Sequence, residues 1–212
     1  MSVTAGMVKN LRQITNAGMM ECKKALVESE GDIEKATELL RKKGAASAEK
    51  KAGRIAAEGK IVQKISADGK QGVLIEVNCE TDFVARADSF SDFADEVANY
   101  VAAQRPESLG QLLDGTLNNG ERIEDARNAL IGRIGENVSV RRFEMVEVEE
   151  GRISGYLHGR KIGVLVSVRN GTEELGHDLA MHIAASKPLA IDESGIPEKE
   201  LTMEREIYLS QA

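Results

Sequence analysis

Apolar positions recur along this chain first at helical spacing and then at strand spacing. Met7, Val8, Leu11 and Ile14 fall on one helical stripe, which Asn16-Ala17-Gly18 stops. Cys22, Ala25 and Leu26 mark a second short helix ending near Gly31. Asp32 then suits an N-cap, because its carboxylate can accept a free backbone N–H. Ile33, Ala36, Leu39 and Leu40 make a third stripe, closed by Gly44. The pattern predicts a three-helix head over residues 1–45. The basic, alanine-rich run RKKGAASAEKKAGRIAAEGK follows, and a polar helix or linker is expected over 46–58.

Beyond it the chain repeats itself. GKIVQKISADGKQGVLIEVN (59–78) resembles GRISGYLHGRKIGVLVSVRN (151–170), and each reads as strand, glycine-containing turn and strand, a β-hairpin. FADEVANYVAAQRP (93–106) matches LGHDLAMHIAASKP (175–188), so that Phe93, Val97 and Val101 correspond to Leu175, Leu179 and Ile183. The body is therefore expected to hold two related units, each a hairpin with a helix packed on it. The fold class is α+β with antiparallel sheets. A helix over 121–134 and the alternating stretch NVSVRRFEMVEV lie between the copies and are expected to complete the second. The predicted divisions are 59–136 and 137–190 for the two subdomains, then a helical segment over 191–212.

The two copies differ in one place. From Gly72 to Phe93 is 21 residues, whereas from the matching Gly163 to Leu175 is 12, so the first copy carries about nine more. Thr81-Asp82-Phe83-Val84 lies within them. Two readings stand at this point. Phe83, Ala87, Phe90, Ala94 and Val97 fit helical spacing with Asp82 as N-cap, which makes Phe83 the first core residue of a longer helix. Alternatively, the second copy starts its helix at Thr172-Glu173-Glu174 with nothing apolar, so the scaffold does not need Phe83, and the ring is there for contact.

Composition narrows the function classes. Of 212 residues, 42% are hydrophobic and 30% charged, ordinary for a globular protein. Aromatics are only 3%, with no Trp, which argues against an aromatic-lined nucleic-acid site. Residues 1–54 carry 11 Lys/Arg against 7 Asp/Glu, and the remainder 17 against 28, giving a basic head on an acidic body and a net charge of −7. The two Cys are 57 residues apart, outside disulfide-framework or zinc spacing, and no segment reads as a signal core or membrane span. A reducing, cytoplasmic setting is expected.

Candidate chemistry is sparse. Cys79 follows a strand, as nucleophiles often do, but no spacing assembles a base and an orienting group around it. Cys22 lies beside Lys23 and Lys24 and reads as a small structural residue. His177 and His182 sit five apart, roughly 140° around a helix, and would not share a metal. His158 falls at the hairpin turn HGRK, aligned near Ser66. Phosphate-binding glycine loops and zinc-protease motifs are missing. A non-enzymatic interaction protein without cofactor or metal is expected.

The Gly18-Met19-Met20 turn and the GDIEKA run resemble ubiquitin-associated domains, which are binding modules. LRQITNAGMMECKKAL, VNCETDFVAR, IGENVSVRR, HGRKIGVLVSV and MHIAASKP, in this order, resemble the bacterial elongation factor Ts family from about residue 2 to 190. That resemblance implies a guanine-nucleotide exchange factor for the translation GTPase elongation factor Tu. It implies that Thr81, Asp82, Phe83 and Val84 form the element that dislodges Mg²⁺ from the GTPase, with Phe83 entering a hydrophobic pocket. It further implies contacts from Arg12, Met19, Met20 and Lys23 in the head, and from Ile134, Gly135 and His158 in the body. No direct nucleic-acid or membrane partner is implied, and homodimerisation is left open. Many members continue through a helical hairpin and a C-terminal module, and 107–120 carries no assigned role. The alternative is a ubiquitin-associated-like scaffold for another protein partner, with catalysis by Cys79 a third reading.

Overall fold

A computed structural model describes residues 3–211. The head forms from α1 (Ala5–Thr15), α2 (Met19–Glu28) and α3 (Ile33–Lys51). Leu11, Cys22, Ala25, Leu26 and Ala36 are its buried centre, with Met7, Val8, Leu39 and Leu40 packed around them. Asp32 caps α3, accepting from the Lys35 N–H at 3.1 Å. Ile14, expected on the core stripe, is instead exposed. The first two residues of the predicted head, and residue 212 of the predicted C-terminal segment, lie outside the described residues.

Gly44 does not close the third helix, which runs on to Lys51 and takes in part of the expected linker. Gly44 is a crossing point. A Cβ there would sit 3.3 Å from the Asn128 carbonyl oxygen of α7 (Ile123–Ile134). Absence of a side chain lets the two helices close up, and the Arg41–Asp125 ion pair (2.6 Å) flanks the junction. Head and body are thereby joined along a packed helix pair.

The first hairpin is β1 (Glu58–Ile65) and β2 (Gln71–Cys79), paired antiparallel. β3 (Val138–Glu147) joins the far edge of β2, giving the order β1-β2-β3. This corrects the expected division at 137: the alternating stretch completes the first sheet, not the second. α7 likewise packs with the first unit, contributing Ile123, Leu130 and Ile131 to its core. The second sheet contains β4 (Arg152–His158) and β5 (Ile162–Val168).

Strand alternation sorts the faces. Val62, Val73, Ile75 and Val77 turn towards α5 (Asp88–Gln104), where Phe90, Phe93, Val97 and Val101 are buried. The opposite face meets the second sheet. A Cβ on Gly72 would stand 2.9 Å from Ile153 Cγ2, and one on Gly163 would stand 2.8 Å from Ile61 Cγ2. Gln63 donates from Nε2 to the Val164 carbonyl at 3.0 Å, bridging the sheets. α8 (Glu173–Ser186) covers the outer face of β4 and β5, so the body is layered helix, sheet, sheet, helix.

The matched helices end alike, with left-handed Arg105 (φ 51°) and Lys187 (φ 49°) each before a proline. Their burial differs. α8 seats on its sheet through Gly176, Ala180 and Ala184, leaving Leu175 and Leu179 exposed where their counterparts Phe93 and Val97 are buried. The first unit has α6 (Leu109–Asp114) and α7 to cover its helix, and α6 and its flanking turn supply buried Leu112 and Leu117 from the segment without an assigned role. A 3-10 turn (Glu193–Gly195) and α9 (Glu198–Gln211) follow α8, and α9 buries none of its side chains.

Gly44→Leu should force α3 from α7 and lower stability by about 1–3 kcal/mol, as overpacking does. A urea midpoint equal to that of the parent chain would contradict the close crossing.

Candidate functional site

The strand pairing of β2 ends at Cys79, and the chain turns at once into α4 (Asp82–Ala85). Thr81, rather than Asp82, is the N-cap, and its Oγ1 accepts from the Val84 N–H at 3.4 Å. One turn later the helix breaks: Ala87 adopts extended backbone (ψ 138°) and α5 begins at Asp88. The continuous helix that would bury Phe83 therefore does not form. Successive residues on a helix lie about 100° apart. With Val84 and Ala85 turned into the core at 9% and 2% exposure, Phe83 is left 83% exposed. Val84, the last residue of the expected Thr81–Val84 element, is buried and anchors the turn from within. Asp82 is half-buried and pairs with Arg86 at 3.1 Å, an exposed pair worth little.

A second layer holds the turn. Glu136 Oε2 accepts from the N–H groups of Glu80 (3.1 Å) and Thr81 (3.0 Å), and Oε1 accepts from the Thr81 hydroxyl (2.6 Å). Glu80 answers, with Oε1 accepting from the Asn137 N–H at 2.6 Å. Asn137, itself buried, donates from Nδ2 to the Arg54 carbonyl at 2.9 Å. None of Glu80, Glu136 and Asn137 was legible as a site residue. Their only sequence signal is the polar Glu-Asn pair between a helix end and a strand in IGENVSV.

The other expected residues lie around this turn. Gly135 ends α7 in left-handed backbone (φ 84°) and is exposed, while Ile134 packs partly on the core. Arg133, beside them, donates to the Asn16 carbonyl at 3.2 Å, joining the end of α7 to the α1–α2 turn of the head. Arg12, Met19, Met20 and Lys23 are exposed on that head. On the other side, Glu58 stands opposite Cys79 in the sheet and pairs with Lys161 at 2.7 Å, and the Arg160 carbonyl accepts from the Ile61 N–H at 2.7 Å. Those two bonds bring the β4–β5 turn, with exposed His158, to the same sheet end as Phe83. The Tyr156 hydroxyl lies 3.1 Å from His158 Nδ1, within hydrogen-bond distance.

The nucleophile reading fails on geometry and acidity. Cys79 is fully buried and its thiol donates to the Thr81 carbonyl at 3.2 Å. Burial first, then the Glu136 and Glu58 carboxylates, push its pKa up to about 12. Cys22 is also buried, and burial raises its pKa too. His177 and His182 are both exposed, and among the described residues no His, Cys, Asp or Glu cluster could hold a metal. A groove of about 700 Å³ between head and α7 has no Cys or His in its walls. No helix among the described residues is long and apolar enough to cross a membrane.

A layered scaffold that holds Phe83 exposed on a braced turn has the class of surface that suits contact with another protein. The comparisons with known proteins are more specific. The family described as "Elongation factor TS" matches residues 80–212. Elongation factor Ts of Methylococcus capsulatus is 54% identical over 212 residues, spanning all of this chain and 72% of the relative. The proteins of that name from Thioalkalivibrio sulfidiphilus (51%, all of this chain and 72% of the relative) and Arthrospira platensis (50%, 99% and 85%) are similarly alike. The chain belongs to the elongation factor Ts family, and so to the translation elongation factors.

Cys79 should resist alkylation in the folded chain at pH 8, because a rise from 9.0 to about 12 lowers the thiolate fraction about a thousandfold. The same shift means that stability is untouched by this group below pH 9 and falls as pH rises towards 12, where only the unfolded thiol ionises readily. Mass spectrometry after iodoacetamide, with and without denaturant, checks the first point. Rapid labelling of the native chain would contradict it.

Proposed function

We propose that this chain is a guanine-nucleotide exchange factor for elongation factor Tu, acting in the cytoplasm and catalysing no covalent chemistry. The observation that carries the reading is Phe83, 83% exposed on a turn braced from behind by buried Val84 and Ala85, in a chain of this family. Solvent exposure of a large aromatic on a rigid turn suits insertion into a partner pocket.

In a GTPase, Mg²⁺ bridges nucleotide phosphates and protein oxygens, so its loss leaves phosphate charge poorly neutralised. Burying Phe83 in the GTPase supplies about 1.5–3 kcal/mol by transfer, available to displace the elements that hold the metal. Thr81, Asp82 and Phe83 form the displacing element, with Val84 as its inner anchor. His158 reaches towards the phosphate loop and Ile134-Gly135 makes a neighbouring contact. Arg12, Met19, Met20 and Lys23 grip the GTPase from the head and aim the body. By linkage, GDP weakens binding of this factor by the same ratio that the factor weakens GDP. Which nucleotide rebinds is decided by supply.

Phe83→Ala should leave the unfolding free energy from urea titration within about 0.5 kcal/mol, as exposed substitutions do, while slowing stimulated release of labelled GDP from elongation factor Tu about tenfold or more, the truncation cost of a hot-spot aromatic. Release at the parent rate would remove Phe83 from the mechanism. His158→Ala should weaken stimulation with less effect on complex formation. Normal stimulation in that variant would contradict its role.

A further inference from the structure

We infer that Glu136 is the positioning residue of the exchange turn, holding residues 80–84 so that the Phe83 ring is presented in one orientation. The inference rests on the reading of Phe83 given above. It goes further in assigning the orientation to a side chain 53 positions away in sequence that makes no outward contact in this role.

Sheet pairing stops at Cys79, so the N–H groups of Glu80 and Thr81 have no strand partner. Water would satisfy them on a free turn. Instead a single carboxylate takes both, at 3.1 and 3.0 Å, and takes the Thr81 hydroxyl at 2.6 Å. Hydrogen bonds to a charged acceptor are stronger than those between neutral groups. The Thr81 hydroxyl works in two directions, donating to Glu136 while accepting from the Val84 N–H. Loss of Glu136 therefore frees the cap that starts α4 as well as the turn itself. The return bond from Asn137 N–H to Glu80 makes the clasp reciprocal. The carboxylate is set directly beside Gly135, whose left-handed backbone turns the chain out of α7 and into β3. One four-residue segment, 134–137, thus joins two elements proposed to meet the GTPase, and fixes one relative to the other.

The test uses the full chain with Glu136→Ala, Glu136→Gln, Phe83→Ala and the Glu136→Ala/Phe83→Ala double variant. Glu136→Ala should raise amide hydrogen exchange at residues 80–85 about tenfold or more, with protection in β1–β3 kept. It should lower the maximal rate of stimulated GDP release from elongation factor Tu about tenfold, with the half-saturating concentration changed less than about twofold. Glu136→Gln, whose amide oxygen can still accept from both N–H groups, should restore the rate to within about threefold. The double variant should be no slower than Phe83→Ala, because both act through one ring. Unaltered hydrogen exchange in Glu136→Ala overturns the inference by itself, as does a double-variant loss equal to the product of the two single losses. A higher half-saturating concentration at an unchanged maximal rate overturns it too, since Glu136 would then touch the partner directly. Phe83→Ala releasing GDP at the parent rate instead overturns the reading of Phe83, and the functional half of this inference with it.

Discussion

The close approach of the two hairpins organises everything else in the body. Gly72 and Gly163 stand where any Cβ would intrude on Ile153 or Ile61, so at these points a side chain of one sheet seats directly against the backbone of the other. With the inner faces taken by each other, α5 and α8 are left only the outer faces. Turns at one end of the sandwich are consequently gathered into a single rim. Phe83, Gly135 and His158 share that rim through backbone and carboxylate bonds from 58 to 161. This architecture makes an edge with one ring standing clear of it.

Such an edge offers a surface for contact with a partner. The buried thiol beneath it is held protonated by burial and by Glu136 and Glu58, so the most nucleophilic element near the turn is inert at neutral pH. Cys79 instead serves the turn, donating to the Thr81 carbonyl. Rigidity matters here, because a ring that must be ordered on docking loses about 0.5–1.5 kcal/mol of its contact energy to entropy. The inward anchoring by Val84 and Ala85 removes part of that cost before the partner arrives.

Much of the fold was legible in the sequence, for identifiable reasons. The hairpins could be read because period-two apolar runs flank glycine turns, and their duplication supplied an internal control. The insertion around Phe83 was visible only by that comparison, while its orientation was not, since helical spacing alone allowed a buried ring. What decided it was the extended backbone at Ala87, a tertiary outcome. Gly44 was misread because a glycine that ends a helix and one that admits a neighbouring helix look alike in one chain. β3 was assigned to the wrong sheet because its alternation matches either edge, and its proximity in sequence to β4 favoured the wrong one. Leu175 and Leu179 were matched to buried partners correctly in register, but among the described residues no further helix covers α8 as α6 and α7 cover the first unit. Glu136 was out of reach altogether: its partners at 80 and 81 are more than fifty residues distant.

The central claim, that Phe83 stands free in this chain and becomes buried in the GTPase, is open to direct measurement. The chain has four Phe, of which Phe90 and Phe93 are buried and Phe143 is half-buried. Fluorine-labelled phenylalanine, with a paramagnetic probe in the solvent, reports on each ring by NMR. The Phe83 signal should be broadened most strongly in the free chain and should lose that broadening when elongation factor Tu is added. A Phe83 ring shielded from the probe before the partner is added, or still open to it in the complex, would contradict the account.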